Sequence, residues 1–151
     1  MNPKKRITVL LADDHKVIRK ELRKRLDAES DIHVVGEAAN GQQAVDMAKK
    51  LRPAVIVMDI SMPKLNGLDA TQQILQVLPA TRVLILSSHS GEAYVESAMA
   101  IGAAGYIDKL TSISVLGVAI RTVQHQTGAV FLCPTIAKIF KKQSVSMPQA
   151  K

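Results

Sequence analysis

The 151-residue sequence predicts a doubly wound α/β fold: a five-stranded parallel sheet with five helices, followed by a short helical extension. Two observations predict it. Apolar, β-branched runs at Ile7 to Leu11, Ile32 to Val35, Ala54 to Met58, Arg82 to Leu86 and Gly105 to Ile107 alternate strictly with amphipathic stretches, the order of repeated β-α-β units with right-handed crossovers. The first, third and fourth runs are also nearly continuously apolar, as strands are when helices cover both faces of a parallel sheet.

The elements follow in order. After "ITVLL" a helix near 15–28 is marked by the stripe Ile18, Leu22 and Leu26, with Lys16, Arg19, Lys20 and Arg23 on the opposite face. The run at 32–35 leads to a helix near 41–51, with Asn40 as its cap and Pro53 beyond its end. "AVIVM" precedes a helix near 66–77 that closes before Pro79; the last two runs precede helices near 92–101 and 112–126. From Gly128, "AVFLCPTIAKIF" reads as a short extension with one helix from Pro134, about 134–142, and "KKQSVSMPQAK" as a polar linker. Residues 1–127 are thus one domain and 128–151 a linker segment, without internal repeats.

Composition narrows the function. The core must be aliphatic, because aromatics make up 3% of the chain and tryptophan is absent. Cys133, alone, forms no internal disulfide, and no Cys/His cluster has zinc-ligand spacing. The N-terminal apolar run ends at two aspartates, too short for a signal peptide, and no stretch has transmembrane length. A soluble protein of the reducing cytoplasm, without a membrane partner, is expected. Of the 20 Lys and Arg residues behind the net charge of +7, nine fall within residues 4–25. On the first helix they form a basic face, read as a solvated surface or as a dock for an acidic partner. Direct DNA reading would need base-contacting side chains or stacking aromatics that this segment lacks.

In such folds ligands bind at the carboxyl ends of the strands. Those ends carry Asp13 and Asp14, then Asp59, then Ser87 and Ser88, then Asp108 and Lys109. Each has a modest explanation alone: Asp14 could cap the first helix, Ser87 the fourth, and Lys109 could be a surface lysine. Together they suit one chemistry. Gathered carboxylates repel unless a cation joins them, and oxygen-only ligands favour a hard ion such as Mg²⁺. A carboxylate nucleophile, a divalent ion, a hydroxyl and an ammonium group serve phosphoryl transfer to aspartate.

The motifs "LLADDH", "VIVMDISMPKLNG", "LILSSHS" and "GAAGYIDK" resemble the receiver domain of bacterial two-component response regulators over residues 7 to about 127. The resemblance implies a CheY-like, flavodoxin-like fold with strand order 2-1-3-4-5. It implies Asp59 as phosphoacceptor and a Mg²⁺ site in which Asp14 binds directly and Asp13 assists through water, with Asp59 and the backbone carbonyl of Ser61 among the ligands. Ser87 and Lys109 would bind the phosphoryl oxygens, Ser87 and Tyr106 would form a switch in which the tyrosine ring turns inward, and Ser61 and His89 would tune phosphoryl lifetime. "GYIDKLTS" and "LSSHS" look most like the NarL/FixJ, LuxR-type branch of DNA-binding regulators. A sensor histidine kinase as donor, a homodimer on phosphorylation, and DNA contact only through an absent helix-turn-helix domain are the implied partners. A stand-alone receiver or phosphorelay shuttle is the alternative, since the chain stops after its linker. Leu110 departs from the pattern, standing where many receivers place proline. A phospho-aspartate hydrolase would be expected to show D-x-D rather than "DD" after the first strand, and a flavin or nucleotide binder would need amides there to cradle phosphate.

Overall fold

The computed structural model describes residues 5–89, 91–110, 113–126 and 128–139. Strands β1 (Ile7–Ala12), β2 (Ile32–Ala38), β3 (Val55–Met58), β4 (Arg82–Ser87) and β5 (Gly105–Asp108) alternate with helices α1 (Lys16–Asp27), α2 (Gly41–Leu51), α3 (Gly67–Val77), α4 (Glu92–Ala100) and α5 (Ile113–His125). Every expected strand and helix is present, displaced by at most three residues at an end. The strand order is β2-β1-β3-β4-β5-β6, all neighbours parallel. The expectation of five strands is corrected by one: β6 (Phe131–Leu132) comes from the extension and pairs with β5, at Gly105↔Phe131 and Tyr106↔Leu132. Two residues with half-buried side chains carry no periodic signal, so their strand was not visible to pattern reading. Residues 134–139 are helical, and 140–142 of the expected helix lie outside the described residues, as does the tail.

Burial follows the sheet. β3 is buried at all four positions and β4 at its last five, whereas β2, at the edge, alternates buried with half-buried. The core is aliphatic, with Tyr106 the largest fully buried side chain. α1 and α5 pack on each other, as do α2 and α3. Asn40 caps α2 by accepting from Gln43 N at 2.8 Å, and Asn66 caps α3 by accepting from Asp69 N at 2.9 Å. The caps suggested for Asp14 and Ser87 are not made: α1 begins after His15 without a side-chain cap, and α4 begins after Gly91. Among the described residues no peptide bond is cis, and no helix is long and apolar enough to cross a membrane.

The basic face of α1 is neither free nor merely solvated. Glu37 of β2, 9% exposed, accepts from Arg19 Nε at 2.9 Å, Lys20 Nζ at 3.2 Å and Arg23 Nη1 at 2.8 Å. One carboxylate thereby ties three cations of the helix to the sheet.

Candidate functional site

Strand order reverses between β1 and β3, and at such switch points the carboxyl ends of the strands open a crevice. Backbone bonds set the acids around it: Asp59 N donates to Ala12 O at 2.9 Å, and Asp13 N to Ala38 O at 3.0 Å. Arg19 Nη1 donates to Asp13 O at 2.6 Å, bracing the same turn. The side chains of Asp13 and Asp59 are each 4% exposed.

Lys109, just beyond β5, reaches across β4 to both acids. Its Nζ lies 3.0 Å from Asp13 Oδ2 and 3.2 Å from Asp59 Oδ2. The Asp59 contact is a hydrogen bond; the Asp13 contact is a charge contact outside hydrogen-bond geometry, which leaves Asp13 Oδ2 buried without a hydrogen-bond donor. Burial holds the Asp59 carboxyl above the usual range, opposed by Lys109 and reinforced by Asp13. For Lys109 burial works against the charge, but Asp13 and Asp59 together outweigh it and raise the ammonium above its ordinary value. The lysine therefore stays charged and partly neutralises the pair.

Asp14 sits exposed at the rim. Asp13, Asp14, His15 and Asp59 each bring one ligand atom into a cluster in which all lie within 4.8 Å of one another. Sequence reasoning passed over His15, although it stands in the quoted "LLADDH". Its Nδ1 is 3.0 Å from Asp13 Oδ1 and 3.3 Å from Asp14 Oδ1. The loop after Asp59 is packed close beneath it: Gly67 N donates to Ile60 O at 2.8 Å, and a Cβ at Gly67 would fall 1.8 Å from the Asp59 carbonyl oxygen. Only glycine fits there.

Ser61, Ser87, His89 and Tyr106 form one connected group. Ser87, fully buried, accepts from His89 N at 3.0 Å, and Tyr106 donates its hydroxyl to the His89 carbonyl. The His89 ring meets Ser61 Oγ at 2.8 Å through Nε2 and stacks on Tyr94, centroids 4.5 Å apart. Nothing in the sequence signalled Tyr94. Burial pushes the Tyr106 hydroxyl up to about 12. The Tyr106 ring is 0% exposed and points inward, its hydroxyl meeting the His89 carbonyl inside the fold.

A family model for the response regulator receiver domain matches residues 9–121. The chain belongs to the response regulator receiver family. It is 35% identical over 131 residues to the transcriptional regulatory protein DegU of Brevibacillus brevis, covering 87% of this chain and 55% of that protein. It is 40% identical over 115 residues to the response regulator protein VraR of Staphylococcus aureus (strain NCTC 8325 / PS 47), covering 76% and 55%. A solved LuxR-family two-component response regulator from Aurantimonas sp. SI85-9A1 superimposes with a TM-score of 0.87 at 31% identity, covering 93% of this receiver chain and 99% of that one. The receiver thus spans little more than half the length of these two curated relatives, and it is a signalling domain rather than a classical enzyme.

Proposed function

We propose that this receiver accepts a phosphoryl group on Asp59 and passes the change on as a signal. The observation that carries the reading is the half-buried Lys109 ammonium bridging Asp13 and Asp59 at the switch point. An Asp59 Oδ attacks the phosphorus of the donor, the new O–P bond forms as the bond to the leaving group breaks, and the leaving group takes the electron pair. Lys109 holds a phosphoryl oxygen by charge, and the Ser87 hydroxyl donates to another.

The acids present suit Mg²⁺: Asp13 Oδ2 is a buried oxygen met by the charge of Lys109 at 3.0 Å but by no hydrogen bond, beside Asp59 and the exposed Asp14, in a donor set that is oxygen apart from His15. Asp13, Asp14, Asp59 and the backbone carbonyl of Ser61 would hold it. When bound, the ion supplies positive charge for the phosphoryl oxygens.

The phosphoryl group arrives from the phosphohistidine of a sensor kinase. An apolar cleft of about 180 Å³ beside Lys109, lined by Ile18, Leu22, Ile113 and Leu116, supports docking of such a partner between α1 and α5. Ser87 and Tyr106 act as the switch, and their shared contact with His89 supports that reading. Ser61 and His89, hydrogen-bonded across the crevice, set phosphoryl lifetime. The output is transcription, through a helix-turn-helix domain outside residues 1–151; the relatives named as transcriptional regulators support this.

The test is acetyl phosphate with Mg²⁺, followed by intact mass spectrometry. One phosphoryl group is expected on the wild type and none on Asp59→Asn. Equal labelling of the two would overturn the assignment.

A further inference from the structure

Lys109 must hold its backbone steady while its side chain spans to two acids. On one side Lys109 N donates to Ser87 O at 2.9 Å. On the other, Leu110 N donates to Asp108 Oδ1 at 2.8 Å, so the Asp108 carboxylate closes a turn around the lysine backbone. The Leu110 side chain is 92% exposed and cannot anchor this turn by packing. Asp108 is itself held from behind. Its N–H donates to Cys133 Sγ at 3.4 Å; Cys133 is fully buried and its own N–H donates to Tyr106 O at 3.3 Å. The Cys133 carbonyl is taken by Ala137 N at 2.7 Å, where the chain turns helical, so the thiol stands in for it as acceptor. Gly105 permits this close seating: a Cβ there would lie 2.3 Å from the Phe131 carbonyl oxygen.

We infer that Asp108 is a positioning residue for Lys109, buttressed by Cys133 just after β6, so that the segment after α5 is a working part of the site; the inference rests on the phosphoacceptor reading of Asp59. Asp108 touches neither Asp59 nor a phosphoryl group. It acts by fixing the turn from which Lys109 reaches both acids, and a displacement of about 1 Å in such a group costs up to about a hundredfold in rate.

The experiment compares the full chain with Asp108→Ala, Asp108→Asn, Leu110→Pro and Leu110→Ala. The rate of phosphoryl gain from acetyl phosphate with Mg²⁺ is measured beside the thermal midpoint. Asp108→Ala loses the acceptor and Leu110→Pro the donor, and each should slow phosphoryl gain about five- to tenfold. Asp108→Asn keeps an acceptor oxygen and should restore a near wild-type rate; Leu110→Ala keeps the donor and should change nothing. A structural role alone would lower the thermal midpoint of Asp108→Ala and Asp108→Asn together, without rescue of rate by asparagine. Unchanged rates in Asp108→Ala and Leu110→Pro would overturn the inference. A second measurement does not depend on phosphorylation: NMR should show the Leu110 amide protected from exchange and a resolved Lys109 ammonium signal in the wild type, both lost in Asp108→Ala. If no variant, nor the wild type, takes a phosphoryl group, the reading of Asp59 fails. In that case an unaltered Lys109 signal in Asp108→Ala overturns the positioning role, and its loss upholds it.

Discussion

Asp59 and Lys109 illustrate how far a single residue type is informative. An aspartate ending an apolar strand and a lysine ending another were legible as functional because neither belongs where the chain is otherwise buried. Their contact was not, since the residues stand 50 positions apart and meet only through the strand order. The Ser61 and His89 pair lies between these cases. Both were singled out as lifetime residues, but the 2.8 Å hydrogen bond between them makes the two act as one unit. Residues that share an interaction show non-additive effects when substituted. Ser61→Ala and His89→Ala should each change the rate of phosphate loss from Asp59 by about two- to tenfold, the span of one hydrogen bond. The double variant should do little more than either alone. Timed phosphate loss by mass spectrometry checks this, and additive single effects would show that the pair is not coupled.

At the scale of elements, α1 is fastened to β2 by Glu37 and α5 to the turn before β2 by Arg121. Arg121 reaches Asp31 Oδ2 at 2.7 Å and also pairs with Glu29. Glu37 has the larger consequence. Burial opposes its charge, yet hydrogen bonds from Arg23, Arg19 and Lys20 bring its carboxyl from 4.5 down to about 2. A carboxyl whose folded value lies below its unfolded value adds stability that is full above the unfolded value, here above about pH 4.5, and is lost as pH falls toward about 2. The contribution near neutrality is of the order of 2–3 kcal/mol, reduced by solvent around the exposed ends of Lys20 and Arg23. Urea unfolding should find Glu37→Gln less stable than the wild type at about pH 6, with the gap falling by half or more at about pH 3. A gap independent of pH would assign the loss to packing instead of charge. The basic stripe on α1 was plain in the sequence. Its partner was hidden, because Glu37 sits in a strand that pattern reading ended at Val35.

The molecule as a whole gathers its acids where the sheet reverses direction, and folding must hold them together against their repulsion. Lys109 offsets part of that cost, and a divalent ion bound only by the folded site would offset more. With Mg²⁺ at about a hundred times its dissociation constant the gain is about 2.7 kcal/mol, or roughly 5–10 °C for a domain of this size. Thermal unfolding with and without the ion should show that rise in the wild type and lose most of it in Asp14→Ala, whose exposed position makes a folding defect small. Equal shifts in the two would place the ion elsewhere. The sequence by itself determined the alternation of strands and helices, the aliphatic core and the residue types at the strand ends, because hydrophobic periodicity and chain order are local properties. Only the tertiary structure decided that Glu37 occupies the basic helix, that Tyr106 already faces inward, that His15 joins the acids, and that a sixth strand seats Cys133 behind Asp108. Each of these depends on which groups meet across the sheet, and burial and hydrogen-bond satisfaction fix that only once the strands are ordered side by side.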